Sequence, residues 1–133
     1  MAIRANAATS KDWPAVGLDF GETRFSKLDQ INTETVRKLG LVWSHSLDSA
    51  RGVEATPIVV EHGGRPQVII SGTSRIRGYD LASGKILWEC GGLSANVVAS
   101  PVSDGELVFA GSSYDKRAVL AIRLEGAAGG TTD

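Results

Sequence analysis

Beyond residue 40 the chain is a series of short apolar runs separated by turn residues: "PIVV" (57–60), "PQVII" (66–70), "RIRGYDL" (75–81), "KILWEC" (85–90), "GELVFAG" (105–111) and "AVLAIRL" (118–124). The segments between them, "EHGGRP", "ASG", "SDG" and "SSYDKR", are rich in the residues that reverse a chain. Runs of this length with such boundaries predict antiparallel strands in hairpin connection. None of the intervals is long enough for a crossover helix. Before residue 40 the pattern differs. In "INTETVRKLG" (31–40), Asn32 is placed to cap a short helix, with Ile31 and Val36 positioned as a hydrophobic staple and Gly40 as a left-handed exit. The expectation is an all-β chain with one short N-terminal helix.

The strand-rich region also repeats. The segment from Leu41 to Leu81 aligns with the segment from Ile86 to Leu124, pairing Trp43 with Trp88 (88 less 43, or 45 apart) and Pro57 with Pro101 (101 less 57, or 44). A period of roughly 40–50 residues with four short strands per unit marks a β-propeller blade. A pair of similar hairpins in a β-sandwich is the alternative reading of the same alignment.

Composition supports strands over helices and excludes some functions. Sixteen glycines against one methionine suit a fold of short strands and tight corners. Fourteen basic and fifteen acidic residues, net charge -1, leave no basic stripe for phosphates, so nucleic acid is not an expected partner. Cys90 is the single cysteine, which excludes an internal disulfide, and it reads as a small half-buried apolar residue. "MAIRANAATS" lacks the apolar run of a secretory signal, and no stretch reaches the length of a membrane span. His45 and His62, 17 residues apart, lack metal-ligand spacing and read as a strand-surface and a turn histidine. The glycine pairs at 63–64, 91–92 and 129–130 lack the spacing of a phosphate cradle, and "RIR" at 75–77 reads as an exposed alternation around Ile76.

Two motifs carry a family resemblance. "GYDLASGKILW" places Asp80, Gly84 and Lys85 eight, four and three residues before Trp88. It resembles the tryptophan-docking motif A-x-D-x-x-T-G-K-x-x-W of the pyrroloquinoline quinone (PQQ) repeat, with Gly78 for the alanine and Ser83 for the threonine. In that reading Ser83 and Gly84 turn the chain into an outermost strand and Trp88 lies between adjacent blades. Burial of roughly 200 Å² of indole would be worth at most about 5 kcal/mol there. The second motif is "DWPAVGLDFGETRFSKLDQINTETVRKLGLVWSHSLDSARGVEATPIVV" (12–60), which resembles the opening of PQQ-dependent alcohol dehydrogenases: a D-W-P segment, a G-x-T-R-[FY]-S-x-L stretch, an I-N-x-x-[NT]-V helix and an R-G-x-E-A-T-P corner. The stretch from "VIISGTSRIRGYDL" onward is similar to the looser group of PQQ-like repeat proteins, which includes non-enzymatic propellers.

The resemblance implies a partial PQQ-like β-propeller over residues 13–125, about two blades of four antiparallel strands, between a disordered tail at 1–12 and a flexible tail at 126–133. It implies that Glu54, in the E-A-T-P corner, contacts the quinone; a solvated loop glutamate is the alternative from position alone. It further implies PQQ and calcium as cofactors of an intact parent that oxidises an alcohol or sugar in the periplasm. There the quinone accepts a hydride equivalent, calcium polarises it and an aspartate takes the hydroxyl proton. The vicinal cysteine pair of the family is absent from this chain, and "GSSYDKRAV" offers only Asp115 near the calcium-ligand region. No catalytic base and no metal ligand are assigned. Since propellers close with about four to eight blades, the chain is expected to be an N-terminal portion whose partners are the remaining blades or a second copy. A non-catalytic propeller serving as an assembly scaffold is the alternative function.

Overall fold

The protein is described by a computed structural model over residues 18, 22, 29–47, 55–126 and 131–132. The predicted tail at 1–12 lies outside these residues, as does Glu54. Residues 1–40 and 41–133 form two units, each treated by itself.

In the first unit, Asn32 caps a turn as its sequence position predicts. Its Oδ1 accepts the backbone N–H groups of Glu34 and Thr35 at 2.9 and 3.0 Å. The helix that follows is one 3₁₀ turn, Val36–Lys38. Ile31 and Val36 are 66% and 47% exposed, so the predicted staple does not form. Gly40 does not take the left-handed exit, because the chain has already turned extended at Leu39, with φ -66° and ψ 133°.

The second unit holds two antiparallel sheets. The first is β1 (Ile58–His62), β2 (Arg65–Ser71), β3 (Arg75–Asp80) and β4 (Ile86–Gly91) in sequential order. The second is β5 (Val102–Ser103), β6 (Leu107–Ser112) and β7 (Ala118–Arg123). A two-residue strand, β8 (Thr131–Thr132), pairs in parallel with Glu89 and Cys90 on the free edge of β4. Each reversal has its own chemistry. Gly63 and Gly64 both take positive φ (59° and 73°), the requirement of a two-residue hairpin closed by the His62–Arg65 pair. At the β3–β4 turn, Asp80 Oδ1 accepts the Ser83 N–H at 2.7 Å and the Ser83 hydroxyl at 2.6 Å, while Gly84 sits at φ 70°.

The sheets repeat as the sequence predicts: β5 opens 44 residues after β1 (102 less 58) and β7 opens 43 after β3 (118 less 75). Register fixes the equivalence rung by rung. Ile58, Ile69 and Gly78 lie side by side in the first sheet, and Val102, Phe109 and Ala121 form the same rung of the second. We call the face carrying these residues the forward face and its opposite the rear face. Val60, Ile69, Ile76 and Trp88 of the first sheet's forward face pack with Val108 and Ala110 of the second sheet and with Leu124 just after its last strand. Val108 and Ala110 belong to its rear face. The sheets thus stack front to back, as successive blades do.

The tryptophans refine the sequence reading. Trp88 is 4% exposed in the core shared by the two blades, but its indole N–H turns back to Gln67 Oε1 of its own sheet, at 2.7 Å. It closes directly over Gly78, where a Cβ would lie 2.3 Å from the indole nitrogen. Trp43 is the tryptophan seated on the docking motif. Its N–H donates to the Leu81 carbonyl at 2.8 Å, its ring stacks on Tyr79 (6.4 Å between centroids, 22° between planes), and a Cβ at Gly84 would meet it at 2.6 Å. Residues 41–47 around it form no strand. The first blade therefore receives Trp43 on its rear face as well as the second blade on its forward face.

Candidate functional site

The strand-start end of the two blades is held by polar contacts that follow from the repeat. Thr56, in the corner before β1, donates its backbone N–H to Ser100 Oγ, in the corner before β5, at 3.0 Å. The two residues are repeat equivalents, each directly preceding a proline. Next to this joint, the segment 93–97 runs between the two sheets. Leu93 N–H bonds Ser74 O (3.2 Å), Ser74 N–H bonds Ser94 O (2.9 Å), and Ser94 N–H bonds Ser112 Oγ (3.0 Å). The Ser94 hydroxyl donates to the Asn96 carbonyl at 3.1 Å.

A cleft of about 660 Å³ opens here between the 96–99 segment and the β6–β7 turn, with Asn96, Val98, Ala99, Ser112, Tyr114 and Val119 among its lining. Its size is in the range of small-molecule sites. Among the described residues, Asn96 Oδ1 on its wall is buried without a hydrogen-bond partner, as are Ser71 Oγ and Thr73 Oγ1 on the neighbouring β2–β3 corner. Buried polar atoms are nearly always paired. Of these three, Asn96 belongs to the lining of the cleft.

Glu54, the residue predicted to face the cofactor, lies outside the described residues; Ala55, next in the chain, is buried, and Thr56 makes the joint just described. Asp115 accepts the Ala95 N–H at 3.3 Å. Among the described residues no group of three His, Cys, Asp or Glu side chains could hold a metal ion. The histidines lie elsewhere. His62 Nδ1 is 3.1 Å from Gly105 O, a second joint between the blades at the opposite end, and His45 tilts over Tyr79 at 4.9 Å. "RIR" is not the exposed alternation predicted. Ile76 is fully buried, and Arg75 and Arg77 are half-buried around Glu89, at 3.3 and 2.9 Å. Burial pushes the Tyr79 phenol above its ordinary value, and the Ser83 side-chain and backbone hydrogen bonds hold the Asp80 carboxyl below its own.

Sequence reasoning missed Asn96, Ser100 and Ser112. Ser100 had a signal: it stands at the repeat position of Thr56, and a repeat-to-repeat contact between equivalent corners follows once the blades stack front to back. Asn96 and Ser112 had none, since serine and asparagine in a turn-rich chain read as turn formers.

Comparison with known proteins agrees with this architecture. Residues 13–92 match the family described as glucose/ethanol/alcohol dehydrogenase, beta-propeller domain, designated PQQ. A quinohemoprotein alcohol dehydrogenase of Comamonas testosteroni is 48% identical over 86 residues, covering 65% of this chain and 12% of that protein. The dehydrogenase subunit of a quinone-dependent alcohol dehydrogenase of Gluconobacter oxydans (strain 621H) is 35% identical over 114 residues, 82% of this chain and 15% of that subunit. A 1-butanol dehydrogenase (cytochrome c) of Thauera butanivorans is 43% identical over 81 residues, 61% of this chain and 11% of that protein. The chain thus spans about an eighth of the length of the relatives it matches. With its PQQ-repeat motif, its front-to-back blades and a match over more than half its length, the chain belongs to the PQQ-dependent alcohol dehydrogenase family and forms part of a β-propeller.

Proposed function

We propose that residues 13–125 supply two blades of a periplasmic, PQQ-dependent dehydrogenase acting on an alcohol or sugar, and that Glu54 contributes to the wall of the quinone site. The observation that carries this is the Thr56–Ser100 joint, which brings the corner next to Glu54 and its repeat equivalent together at the end of the blades where the cleft opens. Asn96 beside Val98, Ala99 and Tyr114 fits a flat ligand with polar edges, because an amide oxygen without a partner among the described residues offers a donor on such an edge an acceptor. The described residues offer no ligand set for calcium, so no step through a metal is derived. When bound, the quinone supplies the acceptor for a hydride equivalent from the substrate. This chain's part is to bind and orient it.

Calorimetric titration of the chain with PQQ, with and without calcium, tests the reading. Saturable binding that weakens in Glu54→Gln supports it. Absent binding, or affinity unchanged by the substitution, removes Glu54 from the site. For a whole protein containing this chain, alcohol oxidation with an artificial electron acceptor that disappears on removal of PQQ separates the enzyme from the scaffold reading, which predicts no such activity.

A further inference from the structure

At the β1–β2 hairpin, opposite the cleft, the forward face of the first sheet turns from apolar to polar. Beyond the Ile58–Ile69 pair, its next two rungs are Val60 with Gln67 and His62 with Arg65. Alternate residues of a strand share a face, so Arg65, Gln67 and Ile69 point the same way. A cavity of about 90 Å³ lies here, lined by His62, Arg65, Gln67, Leu87 and Trp88 of the first sheet and by Leu124 just after the second. At ~30 Å³ per water it has room for about three waters, or for one organic ion of similar size.

Gln67 is 5% exposed, and chemistry fixes which way its amide faces. An indole N–H only donates, so the 2.7 Å bond from Trp88 ends on the amide oxygen and the amide NH₂ is turned away from it. That NH₂ has no hydrogen-bond partner among the described residues. Buried polar groups are nearly always paired, so a donor held in this position calls for an acceptor inside the cavity. Arg65 brings a positive charge to the same wall. Asp80 feels the guanidinium, but its Oδ1 already accepts the Ser83 N–H and hydroxyl. His62 is engaged with the second blade through Nδ1 and Gly105 O at 3.1 Å. Leu87, Trp88 and Leu124 make the remaining wall apolar. Two donors on one side, one of them cationic, and three apolar side chains on the other match an anion with a two-oxygen head and a short apolar tail. We propose that this cavity binds a small monocarboxylate of acetate size, with its carboxylate on the Gln67 amide and the Arg65 guanidinium and its methyl group on Leu87, Trp88 and Leu124. The site is independent of the quinone reading, since it lies at the other end of the blades.

Proton–nitrogen correlation NMR on the 133-residue chain tests this. Sodium acetate is titrated against sodium chloride at constant ionic strength, and the Trp88 indole and Gln67 amide signals are followed, with acetamide as the neutral isostere. Both signals are expected to shift saturably with acetate, and acetamide to bind roughly tenfold or more weakly. Arg65→Gln, at an exposed position, is expected to weaken acetate binding by about tenfold. Gln67→Glu keeps an acceptor for the indole but replaces the amide donor by a carboxylate, and is expected to abolish binding. Far-UV circular dichroism verifies that each variant folds, and Arg65→Gln decides alone if Gln67→Glu does not. Signals that stay still, or that move without saturating, overturn the proposal. So does acetamide binding as tight as that of acetate, or an acetate affinity unchanged in Arg65→Gln.

Discussion

Replacing Gly78 by alanine restores the residue that the PQQ repeat motif carries at this position, and it is expected to destabilise this protein. A Cβ there would lie 2.3 Å from Trp88 Nε1 and 2.4 Å from Cε2, too close for any real side-chain contact. Since Trp88 is 4% exposed and packed among Val60, Ile69 and Val108, the indole has little room to withdraw. Overpacking of a tight core costs about 1–3 kcal/mol. If the indole moves, it also loses its 2.7 Å bond to Gln67 Oε1, a further ~0.5–1.5 kcal/mol. Against this, removing a glycine from the unfolded chain returns about 0.4–1 kcal/mol. The net expectation is a loss of roughly 1–3 kcal/mol, with Tm falling about 4–8 °C per kcal/mol for a unit of this size. Urea and thermal unfolding followed by tryptophan fluorescence measure it. A double-mutant cycle with Gln67→Ala tests the route: with the Gln67 bond already gone, Gly78→Ala should cost less. A Gly78→Ala chain as stable as its parent would show that Trp88 does not rest on Gly78, and that the indole sits further toward the second blade.

Three further outcomes follow from the same contacts. Gly84→Ala meets both a φ of 70° and the Trp43 ring at 2.6 Å, so a loss of about 1–2 kcal/mol from backbone strain alone is expected in urea unfolding, with Trp43 fluorescence shifting toward that of exposed indole. Ser100→Ala leaves the Thr56 N–H without its 3.0 Å partner and should cost ~1 kcal/mol; amide hydrogen exchange at Thr56 should quicken while that of β3 does not. The raised pKa of Tyr79 means the fold holds the phenol proton more tightly than the unfolded chain does. Its contribution is therefore complete below the ordinary value of 10.0 and lost as pH rises through the higher folded value. Tyr79→Phe should flatten the alkaline part of the stability profile, which a pH series of urea unfolding would measure.

What could be read in advance depended on the scale of the signal. Strand positions were legible because "PIVV", "KILW" and "AVLAIRL" combine β-branched runs with glycine-bearing turns, and the blade architecture was legible because the tryptophans and prolines recur at one period. The partners of individual side chains were not. "RIR" alternates like an exposed strand, yet Glu89, brought alongside by β4, draws both arginines onto the sheet. The docking motif is legible in the sequence, where its own Trp88 is the natural occupant. Only the three-dimensional path shows that Trp43, supplied from the chain before the blade, rests on Gly84. For the candidate site, the sequence singled out the corner around Glu54; the cleft lining from Asn96 to Tyr114 depends on how the second blade is set against the first.

Trp43 also bears on the order of events as the protein is made. Ribosomes add about 5–20 residues per second, so the 44 residues between the starts of β1 and β5 delay the second blade by on the order of 2–9 seconds. During that interval the forward face of the first blade, with Ile69 and Ile76, lacks the second blade that packs on it. Its rear face is better served: Trp43 leaves the ribosome before the β3–β4 turn and can settle on Gly84 and Tyr79 as soon as that turn closes. The nascent blade therefore has one side partly sheltered while the other waits, and that waiting side is where a chaperone would find its first purchase.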